Sequence, residues 1–203
     1  TGTSFLIGTA GLRSLNPDQT LVLVNGTRRH LTPFINAGNQ LFSADDPVDM
    51  DMIPVSAIDH VEVLRDGAAA QYGSDAIAGV VNVILKDQEG GMVSTSYGQN
   101  YDRGDGQLYQ AHGFYGFKLG TDGAMNLSFD FKDQKQANRA VPVASTVQLY
   151  PLVNGAPDPR EATANRLITT NYGTLPVQSI NIGDNGHYNL GAVELYAFGT
   201  FSH

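Results

Sequence analysis

The sequence predicts an α+β portion followed by long antiparallel strands, and three observations carry that prediction. Two short apolar runs, Thr20–Asn25 (TLVLVN) and Gly79–Leu85 (GVVNVIL), lie among Gly- and Pro-containing turns in the first 88 residues. After them, long segments alternate apolar and polar residues with a period of two. The connections between those segments alternate too, short and then long.

In the first portion, Thr20–Asn25 is a β-branched strand closed by the turn dipeptide Asn25-Gly26. Asp45–Met52 reads as an acidic, Pro-containing loop. Ile53-Pro54 opens a short turn over Val55–Asp59, where Pro at a first helical position suits a brief helix. His60–Leu64 alternates, with Val61 and Val63 on one face and Glu62 on the other. Ala68–Gln71 has the length of one helical turn, ended by Gly73. Gly79–Leu85 is a near-continuous apolar strand interrupted only by Asn82, as in strands covered on both faces.

The second portion contains the alternating segments Met92–Gln99, Gln107–Leu119, Ala124–Lys135 and His187–Ser202. In Ala124–Lys135, Met125, Leu127, Phe129 and Phe131 share one face, opposite Asn126, Ser128, Asp130, Lys132 and Gln134. In Gln107–Leu119 the apolar face holds Tyr109, Ala111, Gly113, Tyr115, Phe117 and Leu119, opposite Gln110, His112 and Lys118. His187–Ser202 is less regular: Val193, Leu195, Ala197 and Phe201 share a face, with Tyr196 and Phe198 opposite beside Glu194. Tyr101–Gly106 and Gly120–Gly123 are short connections, and Gln136–Gly186 is a long Pro-rich one. By pattern alone, an outer-membrane barrel wall and a soluble sheet with one wet face are both open.

Composition narrows the function classes. The 203 residues hold 12 Lys+Arg against 20 Asp+Glu, a net charge of −8, which disfavours a phosphate-binding surface and hence nucleic acid. There is no Cys, so a disulfide framework, a thiol nucleophile and a Cys-ligated zinc are excluded. No run of about 18 apolar residues exists, which excludes a transmembrane helix but not a transmembrane strand. His30, His60, His112, His187 and His203 lack metal-ligand spacing, and Gly73–Gly79 (GSDAIAG) lacks the Lys-Ser/Thr of a phosphate loop. Ser74 has no nucleophile-elbow context. No catalytic residues, no metal and no cofactor are assigned.

The stretch Ile53–Lys86 (IPVSAIDHVEVLRDGAAAQYGSDAIAGVVNVILK) breaks the tie between barrel and soluble sheet. It closely resembles the second half of the plug domain of TonB-dependent outer-membrane receptors. The matching positions are Ile53, Pro54, Ile58, Val61, Glu62, Val63, Leu64, Arg65, Ala70, Tyr72, Gly73, Ala76, Gly79, Val80, Val81, Asn82, Val83 and Ile84. Upstream, Leu21–Gly26 (LVLVNG) matches the same family. One departure is visible: Asp66 follows Arg65 where many members have Gly, and Gly67 comes one place later. The resemblance covers about Gly11–Lys86.

That resemblance implies a plug over residues 1–88 and the first antiparallel transmembrane strands and extracellular loops of a β-barrel over 89–203. It implies an active transporter of a scarce nutrient, such as a ferric siderophore, energised by TonB and located in the Gram-negative outer membrane, in contact with lipid. Barrels of this size have 22 strands, and at about ten residues each they need roughly 220 residues in strands alone. The chain is therefore expected to hold about four strands of an incomplete barrel. The segment that contacts TonB is expected outside these residues, since nothing before Gly11 resembles it. The competing reading is a soluble β-rich binding or adhesion module.

By the same resemblance, Tyr101–Gly106 and Gln136–Gly186 are extracellular and Gly120–Gly123 is periplasmic. The apolar faces meet lipid, and Gln110, His112, Asp130 and Lys132 face the lumen. Pro54, Glu62, Arg65, Tyr72, Gly73, Gly79 and Asn82 are plug-motif positions, with Glu62 and Arg65 assigned to plug–barrel contacts. Glu62 and Arg65 lie three apart on a strand, so they are not expected to pair with each other. Gly73 and Gly79 are expected in backbone conformations closed to other residues, or at close approaches.

Arg28, Arg29 and His30 form a small basic cluster after the Asn25-Gly26 turn. It is either a contact for an anionic nutrient or iron chelate at the plug's outward apex, or a solvated or barrel-paired loop. Asp45, Asp46, Asp49 and Asp51 lack calcium-loop spacing and read as a solvated acidic loop. Asp158–Arg166 (DPREATANR) carries mixed charge compatible with a local helix in a loop that either shapes specificity or is a mobile surface segment.

Overall fold

The structure, a computed structural model, describes residues 7–33, 46–65, 69–168 and 172–203. Asp45, Asp66, Gly67 and Ala68 lie outside the described residues.

A four-stranded mixed sheet is built from β1 (Thr20–Val24), β2 (Thr27–Arg28), β3 (Ile58–Leu64) and β4 (Gly79–Leu85), in the order β2-β1-β4-β3. β1 and β4 run parallel, from Thr20 opposite Gly79 to Val24 opposite Val83. The flanking strands β2 and β3 are antiparallel to them. β1 is buried along its whole length, and β4 nearly so, because apolar residues cover both faces. One face gathers Leu21, Leu23, Ala76 and Val80 with Tyr72. The other gathers Val24, Ile53, Val83 and Leu85 with Met50, Ala57, Ile58 and Phe198.

Short elements frame this sheet. 3-10 turns cover Pro17–Gln19, Met50–Met52, Val55–Ala57 and Ser74–Ala76, and α1 is one turn, Ala69–Tyr72. Met50–Met52 thus ends the acidic loop with a turn. Pro54 stands at the cap before Val55–Ala57 rather than inside it. Gly79 has φ +144°, and a Cβ there would lie 2.5 Å from the Leu64 carbonyl oxygen. Only glycine permits that approach of β4 to the end of β3.

The second sheet has five strands: β5 (Gly90–Gly98), β6 (Leu108–Leu119), β7 (Gly123–Gln134), β10 (Val177–Leu190) and β11 (Val193–Ser202), ordered β11-β10-β7-β6-β5. Between β7 and β10, β8 (Ala137–Asn138) pairs with β9 (Gly173–Thr174). Two expectations are corrected here. His187–Ser202 is not one strand, and the long connection does not run to Gly186. β10 begins at Val177, and the chain reverses between Leu190 and Val193, with Gly191 at φ +68°. Among the described residues the wall therefore has five strands rather than about four. The early part of β10 hides from a hydropathy pattern because only Ile180 and Ile182 mark its apolar face, opposite Asn181, Gly183 and Asn185.

The alternation along β7 is inside out. Leu127 and Phe129 are exposed at 45% and 41%, while Asn126 and Ser128 are buried at 5% and 6%. Tyr109, Tyr115, Ile180, Ile182, Leu195 and Phe201 are likewise exposed. Tyr115 stacks on Phe117 two residues on, at 6.1 Å between ring centres.

The chain forms two compact units. One comprises Thr1–Thr95, Ala111–Phe131 and Ser179–His203, which joins the mixed sheet to much of the wall. The other comprises Ser96–Gln110 and Lys132–Gln178. In this second unit, Arg139 grips Asp105 with two hydrogen bonds, at 2.6 and 3.0 Å. The Arg139 hydrogen bond is the main cause that draws the Asp105 carboxyl down to about 2. Arg166 donates to the carbonyls of Ala144 and Val147 and to Glu161, while Glu161 accepts from the amides of Leu149 and Tyr150. A 3-10 turn over Pro159–Thr163, capped by Asp158, stands where the local helix was expected.

Candidate functional site

The most heavily bonded polar region in the first unit lies where the mixed sheet meets the wall. It centres on the turn after Pro54. Proline fixes its own φ and brings no N–H, so the chain enters the turn extended, with the Val55 and Ser56 amides turned toward β7. Asp130 accepts from Val55 N (2.5 Å), Ser56 N (3.3 Å) and Ser56 Oγ (2.5 Å). The single Ser56 hydroxyl proton is shared between Asp130 and the Phe129 carbonyl, which lies 3.0 Å from Oγ. Lys86 closes the other side: its Nζ donates to the Ser56 carbonyl at 2.8 Å and lies 4.6 Å from the centre of the Phe114 ring.

Strands β10 and β11 hold the same region through side-chain amides and hydroxyls. Asn185 Nδ2 donates to the Lys86 carbonyl (3.0 Å), and Asn185 Oδ1 accepts from Asn25 Nδ2 (3.1 Å). Asn25, in a left-handed conformation, also accepts from the Leu85 amide, which ties the Asn25-Gly26 turn to the end of β4. Asn181 Nδ2 donates to the Asp51 carbonyl (2.9 Å) and Ser202 Oγ to the Met52 carbonyl (3.0 Å). Phe198 explains its own irregular position: this aromatic on the polar face packs against the Val24, Ile53, Val83 and Leu85 cluster. Further along, His187 lies 3.3 Å from Asp87, and Lys118 pairs with Glu89 at 2.8 Å.

The basic cluster is split. The Asn25-Gly26 turn stands at the end of the sheet from which β4 leads to β5, and β2 carries the cluster back from it. Arg28 pairs with Asp75 and donates to the Tyr72 carbonyl at 3.2 Å. The Arg28 hydrogen bond, followed by one from Ser74, holds the Asp75 carboxyl below its ordinary range. Arg29 donates to Thr200 Oγ1 on the wall at 2.8 Å. Partial burial lowers the Arg29 guanidinium pKa, against the opposing pull of Asp49. The Asp49 carboxyl is raised, chiefly by burial, although it accepts from the amides of Asp51 and Gly8. His30 is exposed.

The other motif positions have local roles. Asn82, the polar break in β4, accepts from the Gly26 amide (2.9 Å) and donates to Glu62 (2.9 Å), so it joins the turn to β3. Glu62 and Arg65 are exposed. Gly73 has φ +92°. Among the described residues, no group of three His, Cys, Asp or Glu side chains could hold a metal ion. The contacts of Asp130, Lys86, Asn181, Asn185 and Ser202 were not foreseen. Period two places Asp130 on the polar face, but no sequence signal names Ser56 as its partner.

Residues 3–80 match the family described as the TonB-dependent receptor plug domain, so the match begins ahead of Gly11. The vitamin B12 transporter BtuB of Vibrio cholerae serotype O1 is 35% identical over 134 residues, which is 64% of this chain and 19% of the transporter. The chain thus spans about a fifth of the length of the curated relatives it matches. The fold is similar to that of the siderophore receptor PirA from Acinetobacter baumannii, with a TM-score of 0.63 and 20% identity over 94% of this chain and 24% of the receptor. It is also similar to a mutant of the ferric enterobactin receptor PfeA from Pseudomonas aeruginosa, with a TM-score of 0.59 and 19% identity over 94% and 26% of the two chains.

Proposed function

We propose that the chain, whose residues 3–80 match the TonB-dependent receptor plug domain, is part of an outer-membrane active transporter. The transporter binds a scarce nutrient, a ferric siderophore or another small ligand such as a corrinoid, and imports it with energy delivered through TonB. Residues 1–88 are the plug portion, and 89–203 are wall strands and extracellular loops. The observation that carries the reading is a two-sided wall. Its outer face is apolar and exposed at Leu127 and Phe129, and its inner face grips the plug through Asp130, Asn181, Asn185 and Ser202. An apolar face of that extent suits lipid, and a polar inner face suits a plugged lumen.

Within this reading, Arg28, Arg29 and His30 are the candidate contacts for an anionic ligand. Binding to Arg28 would compete with its Asp75 partner. The transport itself makes and breaks no covalent bond.

The test is uptake. The complete gene that encodes this chain is expressed in a Gram-negative host lacking its own siderophore and vitamin B12 receptors, and labelled ligands are supplied with and without TonB. TonB-dependent import of one ligand class is expected. A protein that fractionates with the aqueous phase, or sits in the outer membrane and neither binds nor imports any of them, would overturn the proposal. The aqueous outcome would restore a soluble binding module.

A further inference from the structure

The turn Val55–Ala57 has hydrogen bonding that is completed by another part of the chain. A 3-10 turn leaves its first amides without partners inside the turn. Met50–Met52 and Pro159–Thr163 solve this locally, with Asp49 and Asp158 accepting from their own turns. Pro54 has no side-chain acceptor to offer. The acceptor comes instead from Asp130, distant in sequence, on a wall strand. Two carbonyls before the turn are treated the same way: Asp51 O is served by Asn181 and Met52 O by Ser202. Within the turn itself the bonds are Ala57 N to Pro54 O, at 3.0 Å, and Ile58 N to Val55 O. A single 3-10 turn with two internal bonds does not persist alone in water.

We propose that Asp130 is a cap supplied in trans, so that the Val55–Ala57 turn keeps its conformation only while docked on the wall. The plug then leaves this stretch of wall by opening of that turn, with Ile53 still packed on the sheet and the β1–β4 pair intact. It does not leave as a rigid body. Asp130 is a positioning residue in this scheme. The claim about the turn stands on the geometry, and its use in import rests on the transport reading above.

Amide hydrogen exchange on the full receptor tests it, comparing the wild type with Asp130→Asn, Ser56→Ala and the double variant. Asp130→Asn keeps the shape but removes the charge and leaves one acceptor oxygen for the two amides, with a donor facing the other. The Val55 and Ser56 amides should exchange at least about tenfold faster, the effect of losing a hydrogen bond to a charged group. Val22 in β1 and Val83 in β4 should not change. The double variant should add little to Asp130→Asn, since both changes break one network. If Asp130→Asn fails to assemble, Ser56→Ala leaves the wall intact and should show the same local acceleration, but smaller. Unchanged exchange at Val55 and Ser56, or equal acceleration throughout the plug sheet, would overturn the proposal. The readout needs no transport. A receptor that imports nothing yet shows the local acceleration would uphold the cap and sink the transport reading.

Discussion

The plug sheet and the wall are both β structure, yet they bury opposite residues. In the plug, Val24 and Val83 are exposed at 1% and 0%. In the wall, Leu127 and Phe129 are open, while Asn126 and Ser128 are covered. The same period of two serves both. On the proposed function, what differs is the medium each face meets: the plug hides apolar surface from water, and the wall presents it to lipid and keeps its polar face for the plug. Alternation reports which residues share a face, and only the partner of that face says which side is the interior.

Four changes break or sharpen this contrast. Val83→Asp puts a carboxylate into the plug core and should cost about 4 kcal/mol or more, read by chemical unfolding of the receptor. Leu127→Arg tests the other side: a lipid-facing site should lose about 2–4 kcal/mol on folding into vesicles. A loss within about 0.5 kcal/mol, usual for surface sites in water, would mean that the face is wet. Asn126→Leu probes the wall's polar interior. Both side-chain polar atoms of Asn126 are buried without a protein partner among the described residues. Replacing them should stabilise the wall by about 1 kcal/mol, and destabilisation would show that they are served after all.

The smallest effect lies in the second unit. Asp105, drawn down to about 2 by Arg139, starts from an unfolded value of about 3.9. A depressed carboxylate stabilises the folded state above its unfolded value. That contribution is complete above about pH 4 and lost as pH falls toward about 2. A carboxyl titration by NMR should place its midpoint at about 2 in the wild type and clearly higher in Arg139→Ala, where the Asn100 hydrogen bond remains. Coincident midpoints would show that the ion pair is not maintained.

Much of the fold was legible because its signals are local. TLVLVN read as a β-branched strand and GVVNVIL as a covered one, and Ala124–Lys135 gave its two faces. β10 was not legible at its start, because a wall strand facing a plug needs small polar residues inward. Asn181, Gly183 and Asn185 look like loop. The docking contacts were not legible either. Asp130 and Ser56 lie 74 residues apart, and nothing in either segment encodes the other's approach.

The second unit has a consequence of a different kind. Arg166 and Glu161 fix this loop through the backbone of Ala144, Val147, Leu149 and Tyr150. Backbone groups are the same whatever side chain stands above them. Val141, Leu152, Val153 and Ile168, all exposed, are therefore free to vary while the outline of the loop persists. One charged pair, Arg166 and Glu161, thus lets the side chains above it change without redesigning the scaffold beneath.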